Sequence, residues 1–211
     1  RDAARRALVK VREDYGCDRH VPVQYAIMMK KLFITQDLTS YVDRGERVVP
    51  EIIQAAPVTL SLVGGAAVIW VVASLLMGTL AAAFKGTWLD RSLMVLGLIG
   101  ISIPVFWLGQ VANLVTQSRY HTLWLFSWVP GLGYIPFTQN PFGWFKALVI
   151  PWCVLAVMFI GIYSRVLRAD LIALSHEDFM RTARAKGLSP TRIMLRHGLR
   201  TSLITFVSLF G

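Results

Sequence analysis

The chain has 211 residues, of which 55% are apolar and 16% charged, with 22 Lys and Arg against 12 Asp and Glu and a formal net charge of +10. Soluble domains average about 45–50% apolar and about 25% charged, and here charge is missing altogether from 52–84, 92–118, 120–145 and 147–164. That segregation excludes an ordinary globular enzyme and a disordered basic tail, and it keeps the basic surplus from standing by itself as a nucleic-acid footprint.

Residues 1–56 are the polar part of the chain, with ten Lys/Arg and eight Asp/Glu. Asp2 is placed to cap a short helix through residues 3–9, with Gly16 as its stop. Pro22, Pro50 and Pro57 punctuate short pieces, and 41–51 reads as a loop before the first span. That span is expected at about 57–84. At about 1.5 Å per residue it exceeds a hydrocarbon core of roughly 30 Å, so it must tilt or protrude. Ser74, Gly78 and Ala82 recur every fourth residue, either to let another helix approach closely or as ordinary small-residue abundance in a membrane helix. Gly64 and Gly65 fit the same packing.

A connection from Lys85 to Arg91 turns the chain into a second span at about 93–116. Pro104 near its middle removes a backbone donor, so a kink or break is expected there. Gln110, Asn113 and Thr116 follow in i, i+3 register, and polar groups facing lipid are costly. That face therefore lines a watery path, together with Pro104, or hydrogen-bonds to other helices. Residues 119–146 carry Pro130, Pro136 and Pro141, three glycines and nine of the 24 aromatics within 120–145, which predicts an irregular loop lying along the membrane interface. A third span follows at about 147–164.

Residues 165–200 hold eight Lys/Arg against three Asp/Glu, so the positive-inside rule makes this loop cytoplasmic, with 85–91 on the same side and 1–56 and 119–146 outside. Ser175 and Asp178 have capping-box spacing, Arg184 and Lys186 suit a last turn, and Gly187 ends the helix. Ser189 then caps a second helix with Pro190 at its first position. A helix of about 11 residues is too short to be stable alone, so it needs something to pack on, or else the segment is a solvated basic loop snorkelling over anionic lipid. A DNA-reading helix-turn-helix is excluded, because both ends are tied directly to membrane spans.

The apolar run at 201–211 is shorter than the roughly 20 residues a span needs. With Arg1 in place of an initiator Met, the sequence is expected to be the central piece of a longer membrane protein. Cys17 and Cys153 form no CxxC pair, and His20, His121, His176 and His197 lack zinc-ligand spacing, so no metal site is expected. Gly-Lys-Ser/Thr is absent, as is any supported Ser/His/Asp or Cys/His set, which predicts a protein that carries out no covalent chemistry itself.

Arg181-Thr182-Ala183-Arg184-Ala185-Lys186-Gly187-Leu188-Ser189, with His197-Gly198-Leu199-Arg200, resembles the cytoplasmic EAA loop of binding-protein-dependent ABC importer permeases. The variant is that of the dipeptide/oligopeptide/nickel group, first-permease type. Arg181 stands where the general motif has its acidic residue. Tyr15-Gly16-Cys17-Asp18, Pro22-Val23-Gln24-Tyr25, Asp37 to Tyr41, Ala56 to Leu60, Lys85 to Arg91 and Ser102 to Trp107 are similar to the same group, with Gln36 and Thr39 where glycines are usual. The resemblance implies an all-α polytopic bundle of the type I permease fold, with one helix before Arg1 and more chain after Gly211. It implies a coupling helix of Phe179, Arg181, Thr182, Ala183, Arg184, Ala185, Lys186 and Gly187 docking on an ATPase. It also implies a second homologous permease, two ATP-binding subunits that hold ATP and Mg, an external substrate-binding protein and surrounding membrane lipids, with peptides as cargo, or nickel or another small solute. An ion-coupled secondary transporter is the contrasting class, and the lack of ionisable groups within the three spans counts against it.

Overall fold

A computed structural model describes residues 9, 11–12, 15–40, 46–117 and 126–209. The cap at Asp2 and most of the helix after it, and the start of the aromatic loop at 119–125, lie outside the described residues. The chain divides into two units, Arg1–Leu60 and Ser61–Gly211. In the first, helix α1 (Val21–Phe33) begins with Pro22 in its opening turn, where a missing N–H costs nothing. The Tyr15 hydroxyl donates to the Thr39 carbonyl at 2.7 Å, and Thr39 pairs with Arg47 in an isolated antiparallel bridge. Gln36 has φ of +52°. The turn keeps a left-handed backbone even though a side chain stands where glycine would be free of strain.

Helix α2 (Val48–Ala83) carries the division between the units and starts nine residues before Pro57, so 48–51 is helical rather than loop. Pro50 falls among the first N–H groups, which have no intrahelical partner, and Pro57 costs the interior one bond without stopping it. In the second unit α2 packs on helix α5 (Pro141–Leu174). Gly65 lies beneath the Trp152 indole, and a Cβ on Gly78 would come within 2.8 Å of the Ser164 carbonyl and 3.0 Å of the Leu167 side chain. Ser74 is buried in the same seam, so the small-residue stripe does serve close approach, whereas Gly64 faces open space.

Helix α3 (Trp88–Ser102) packs through Gly97 and Gly100 against Gly161 and Val157 of α5. Helix α4 (Val105–Gln117) then leaves at 97° to α3. The expected second span is therefore not one rod. Ile103 is extended, as a residue before proline is driven to be, and Pro104 cannot donate the next helical bond. The two pieces, 15 and 13 residues, are each only about 20 Å long, shorter than a bilayer core. By length and composition α2 and α5 can each cross a membrane, and the bent pair α3 and α4 counts as a third span only if taken together.

Helix α5 begins six residues before the expected start at 147 and ends ten residues after 164. Pro141 is at its first turn, and the Asn140 side chain caps it by accepting from the Gly143 N–H at 2.9 Å. The buried stripe Leu148, Trp152, Ala156, Tyr163 continues beyond Ser164 as Leu167 and Leu171, and this continued packing holds Arg165 to Leu174 helical where the charge count reads as loop. Trp70, Tyr163 and Phe206 form its aromatic centre, with ring centroids 4.3 Å apart for the first pair and 5.2 Å for the second. The chain finishes with helices α6 (Asp178–Ala185) and α7 (Pro190–Ile193), a π-helical turn (Met194–Gly198) and helix α8 (Leu199–Ser208).

Gly97 and Gly161 meet backbone to backbone, so a side chain there has nowhere to go. Gly161→Val is expected to destabilise by about 1–3 kcal/mol through overpacking, read as a lower apparent melting temperature in detergent. Gly64→Val, facing open space, serves as the control and should leave it unchanged.

Candidate functional site

The segment after α5 is built by local rules and then fixed by packing. Ser175 is the C-cap of α5, its hydroxyl donating to the Ile172 carbonyl at 2.6 Å, so it does not form the expected capping box. The N-cap of α6 is Glu177, which makes no side-chain cap bond. Ser189 precedes α7 as expected, with Pro190 at the helix start but without a side-chain cap bond. The eight residues of α6 are too few to persist alone. They are held because Met180 and Ala183 bury themselves against Ile193 and Leu188. Ala183 therefore faces the chain's own interior, not a partner. Phe179 is 43% exposed, and Arg181, Thr182, Arg184, Ala185, Lys186 and Gly187 are exposed with it.

Gly187 closes the motif at φ of +77°, a left-handed turn that a β-branched residue resists. Arg184 reaches back across it, donating to the Ser175 carbonyl at 3.2 Å. The π-helical turn that follows seats Gly198 against Leu171 and Met180, where a Cβ would come within 3.3 to 3.4 Å. His197-Gly198 of the sequence motif thus lies where α8 returns along α5, and the turn's extra residue lets the backbone approach.

A feature that sequence reasoning missed fastens this end of α5. Arg168 donates to both carboxylate oxygens of Asp90, Nε to Oδ1 at 2.6 Å and an Nη to Oδ2 at 2.7 Å. The Gly86 N–H donates to Oδ2 at 2.9 Å. The Asp90 side chain is 4% exposed and that of Arg168 26%. The signal was available: Asp90 is the one acidic residue between Glu51 and Asp170, and a lone carboxylate at the end of an apolar run calls for a cation.

Gln110 and Asn113 line one open groove of about 540 Å³ with Leu114 and Gln117. Gln117 rather than Thr116 completes this face. Thr116 is buried, its hydroxyl donating to the Ala112 carbonyl at 2.8 Å, while the Gln117 amide donates to the Pro130 carbonyl at 2.8 Å. Pro104 stands at the bend and does not line the groove, which shares no residue with the exposed surface of α6. Among the described residues no group of three His, Cys, Asp or Glu is placed to hold a metal.

The sequence profile of the family described as binding-protein-dependent transport system inner membrane component matches residues 74–211, which includes α6 and its turn. The chain is 31% identical over 202 residues to a putative peptide transport system permease protein of Brucella abortus, covering 96% of this chain and 62% of that protein. It is 28% identical over 232 residues to the probable D,D-dipeptide transport system permease protein DdpB of Escherichia coli, covering 100% of this chain and 66% of that one. Similarity to the oligopeptide transport system permease protein AppB of Bacillus subtilis is 28% over 201 residues, 94% and 62% of the two chains. The chain thus spans about three-fifths of the length of these relatives.

Removing one partner of a buried ion pair leaves an uncompensated charge, whereas replacing both by apolar groups is often nearly neutral. Asp90→Ala is expected to cost about 3 kcal/mol, and Asp90→Leu with Arg168→Met clearly less. A double-mutant cycle on thermal unfolding in detergent checks this, and additive losses would show that the pair does not act as a unit.

Proposed function

Because the chain belongs to the binding-protein-dependent transport system inner membrane component family, and is a multi-pass membrane protein with the helical architecture of an importer permease, we propose that it forms half of the pathway of an ATP-driven peptide importer. The observation that carries this reading is the short exposed helix α6, tied to the C-cap of the 34-residue α5 by the Arg184–Ser175 hydrogen bond, packed on α7 and the turn before it by Met180 and Ala183 and closed by the left-handed Gly187. It has the build of a part pushed from outside. Its free surface is cationic and apolar together, which suits a groove on another protein.

In this reading α6 and its turn, from Phe179 to Gly187, dock on an ATPase subunit that binds ATP and Mg, and this chain hydrolyses nothing. The free energy comes from the ATPase, which binds α6 differently in its nucleotide states, since a conformational change can be driven only by differential affinity. Displacement of α6 moves α5, and α5 carries α2 and α3 with it through the glycine contacts and the Asp90–Arg168 pair. Pro104 supplies the bend at which α4 changes attitude, and Gln110 and Asn113 offer amide groups to a solute passing along the groove. Residues 165–200 and 85–91 lie in the cytoplasm, and 1–56 and 119–146 face an external substrate-binding protein. A second homologous permease completes the pathway. Peptide cargo is supported by the relatives, which are peptide, D,D-dipeptide and oligopeptide transport system permease proteins by name.

In vesicles containing the complete transporter, uptake is expected to require both ATP and the ATPase subunits. Uptake that survives removal of the ATPases and collapses with the proton gradient would overturn the reading in favour of ion coupling. Gly187→Val should lower solute transported per ATP hydrolysed by roughly fivefold or more, the usual scale of coupling between sites. An unchanged ratio in a folded variant would remove α6 and its turn from the coupling path.

A further inference from the structure

A second cavity, about 220 Å³, lies between the C-terminal ends of α2 and α5 and the inner side of α6. Its floor is apolar, with Leu171, Met180 and Ile193 prominent, and its rim carries Lys85, Arg184 and Ser175. Among the described residues no carboxylate lines it and neither cation makes an ion pair, while Arg184 donates to the Ser175 carbonyl at 3.2 Å. The site is thus an apolar pocket under two positive charges that have no counter-ion among the described residues.

We propose that this cavity binds an anionic phospholipid, its phosphate held by Lys85 and Arg184 and an acyl segment lying on the floor. Three observations favour lipid over a protein partner. The cavity opens where charge resumes at the ends of two apolar helices, Lys85 after α2 and Arg165 within α5, the depth at which headgroups sit. Ala83 of the cavity wall continues down α2 as Leu80 and Leu76, at i, i+3 and i+7 on one face, both exposed, which gives an acyl chain an apolar track out of the pocket. The cavity also lies on the Met180 side of α6, whereas Phe179, Arg181 and Lys186 point away from the buried face. The inference rests on the orientation proposed above only for which leaflet supplies the lipid. A lipid wedged between α6 and the ends of α2 and α5 would set how freely α6 moves.

The test is binding of short-chain phosphatidylglycerol to the detergent-purified complete transporter, followed by native mass spectrometry, with phosphatidylcholine and glycerol 3-phosphate as comparisons. Phosphatidylglycerol is expected to bind tightest. Lys85→Gln should weaken it about fivefold, the scale of one cation near anionic lipid, Lys85→Arg should restore it, and Ala83→Phe, at an exposed position of the wall, should block it by filling the pocket without touching charge. Equal binding of phosphatidylcholine overturns the anionic site, and equal binding of glycerol 3-phosphate overturns the lipid assignment. If Lys85→Gln leaves lipid binding intact and instead loosens the ATPase subunits, the cavity is a protein contact and the proposal fails. None of these readouts requires uptake, so failure of the importer reading would be seen separately, in the vesicle assay.

Discussion

In a bilayer a helix gains nothing by being apolar toward another helix, because lipid tails are as apolar as leucine, so neighbours must be held by close approach and by polar contacts. In the second unit α5 does both. Gly65 meets Trp152, Gly78 meets Ser164 and Leu167, Gly97 and Gly100 meet Gly161 and Val157, and Gly198 meets Leu171. Where the glycines stop, Asp90 and Arg168 continue the fastening with two short charge-assisted bonds. Each contact works only because the partner backbone can come near enough for dispersion to count over many atoms. The rest of the unit is arranged around this one rod.

A rod of 34 residues is about 51 Å long, well beyond the roughly 30 Å hydrocarbon core. Charge resumes on it at Arg165, and from there to Leu174 the same helix continues through Arg168 to the point where α6 follows. The eight-residue α6 has no stability of its own to spend, and it takes its position from Met180 and Ala183 on Ile193 and Leu188. A short element held by a small apolar cluster can be displaced as a body while staying helical, which suits a part that receives a push. The π-helical turn after α7 lets α8 come back along α5 at Gly198, so both sides of α6 are tied to the same rod.

The groove beside Gln110 and Asn113 is of a different kind. It exists because Pro104 breaks the second apolar segment by 97°, and it presents amides on a helix that is otherwise apolar. The two regions share no residue, and what lies between them is α5 and the glycine contacts to α3.

Much of this was legible in the residues. The charge-free runs, the small-residue stripe of Ser74, Gly78 and Ala82, the proline break and the glycine stop of the α6 motif are all local signals, and each appears in the structure because it follows from backbone chemistry or from the cost of charge in lipid. Boundaries were less legible. The ends of α2 and α5 run past the apolar segments, since Pro50 and Pro141 fall in first turns where their missing N–H groups are harmless and since Leu167 and Leu171 keep packing after charge resumes. The inward turn of Ala183, the replacement of Thr116 by Gln117 on the polar face and the Asp90–Arg168 pair were decided by tertiary contact. Which side of a short helix is free depends on what the chain folds against it, and the attraction between two charges 78 positions apart has no local periodicity to betray it.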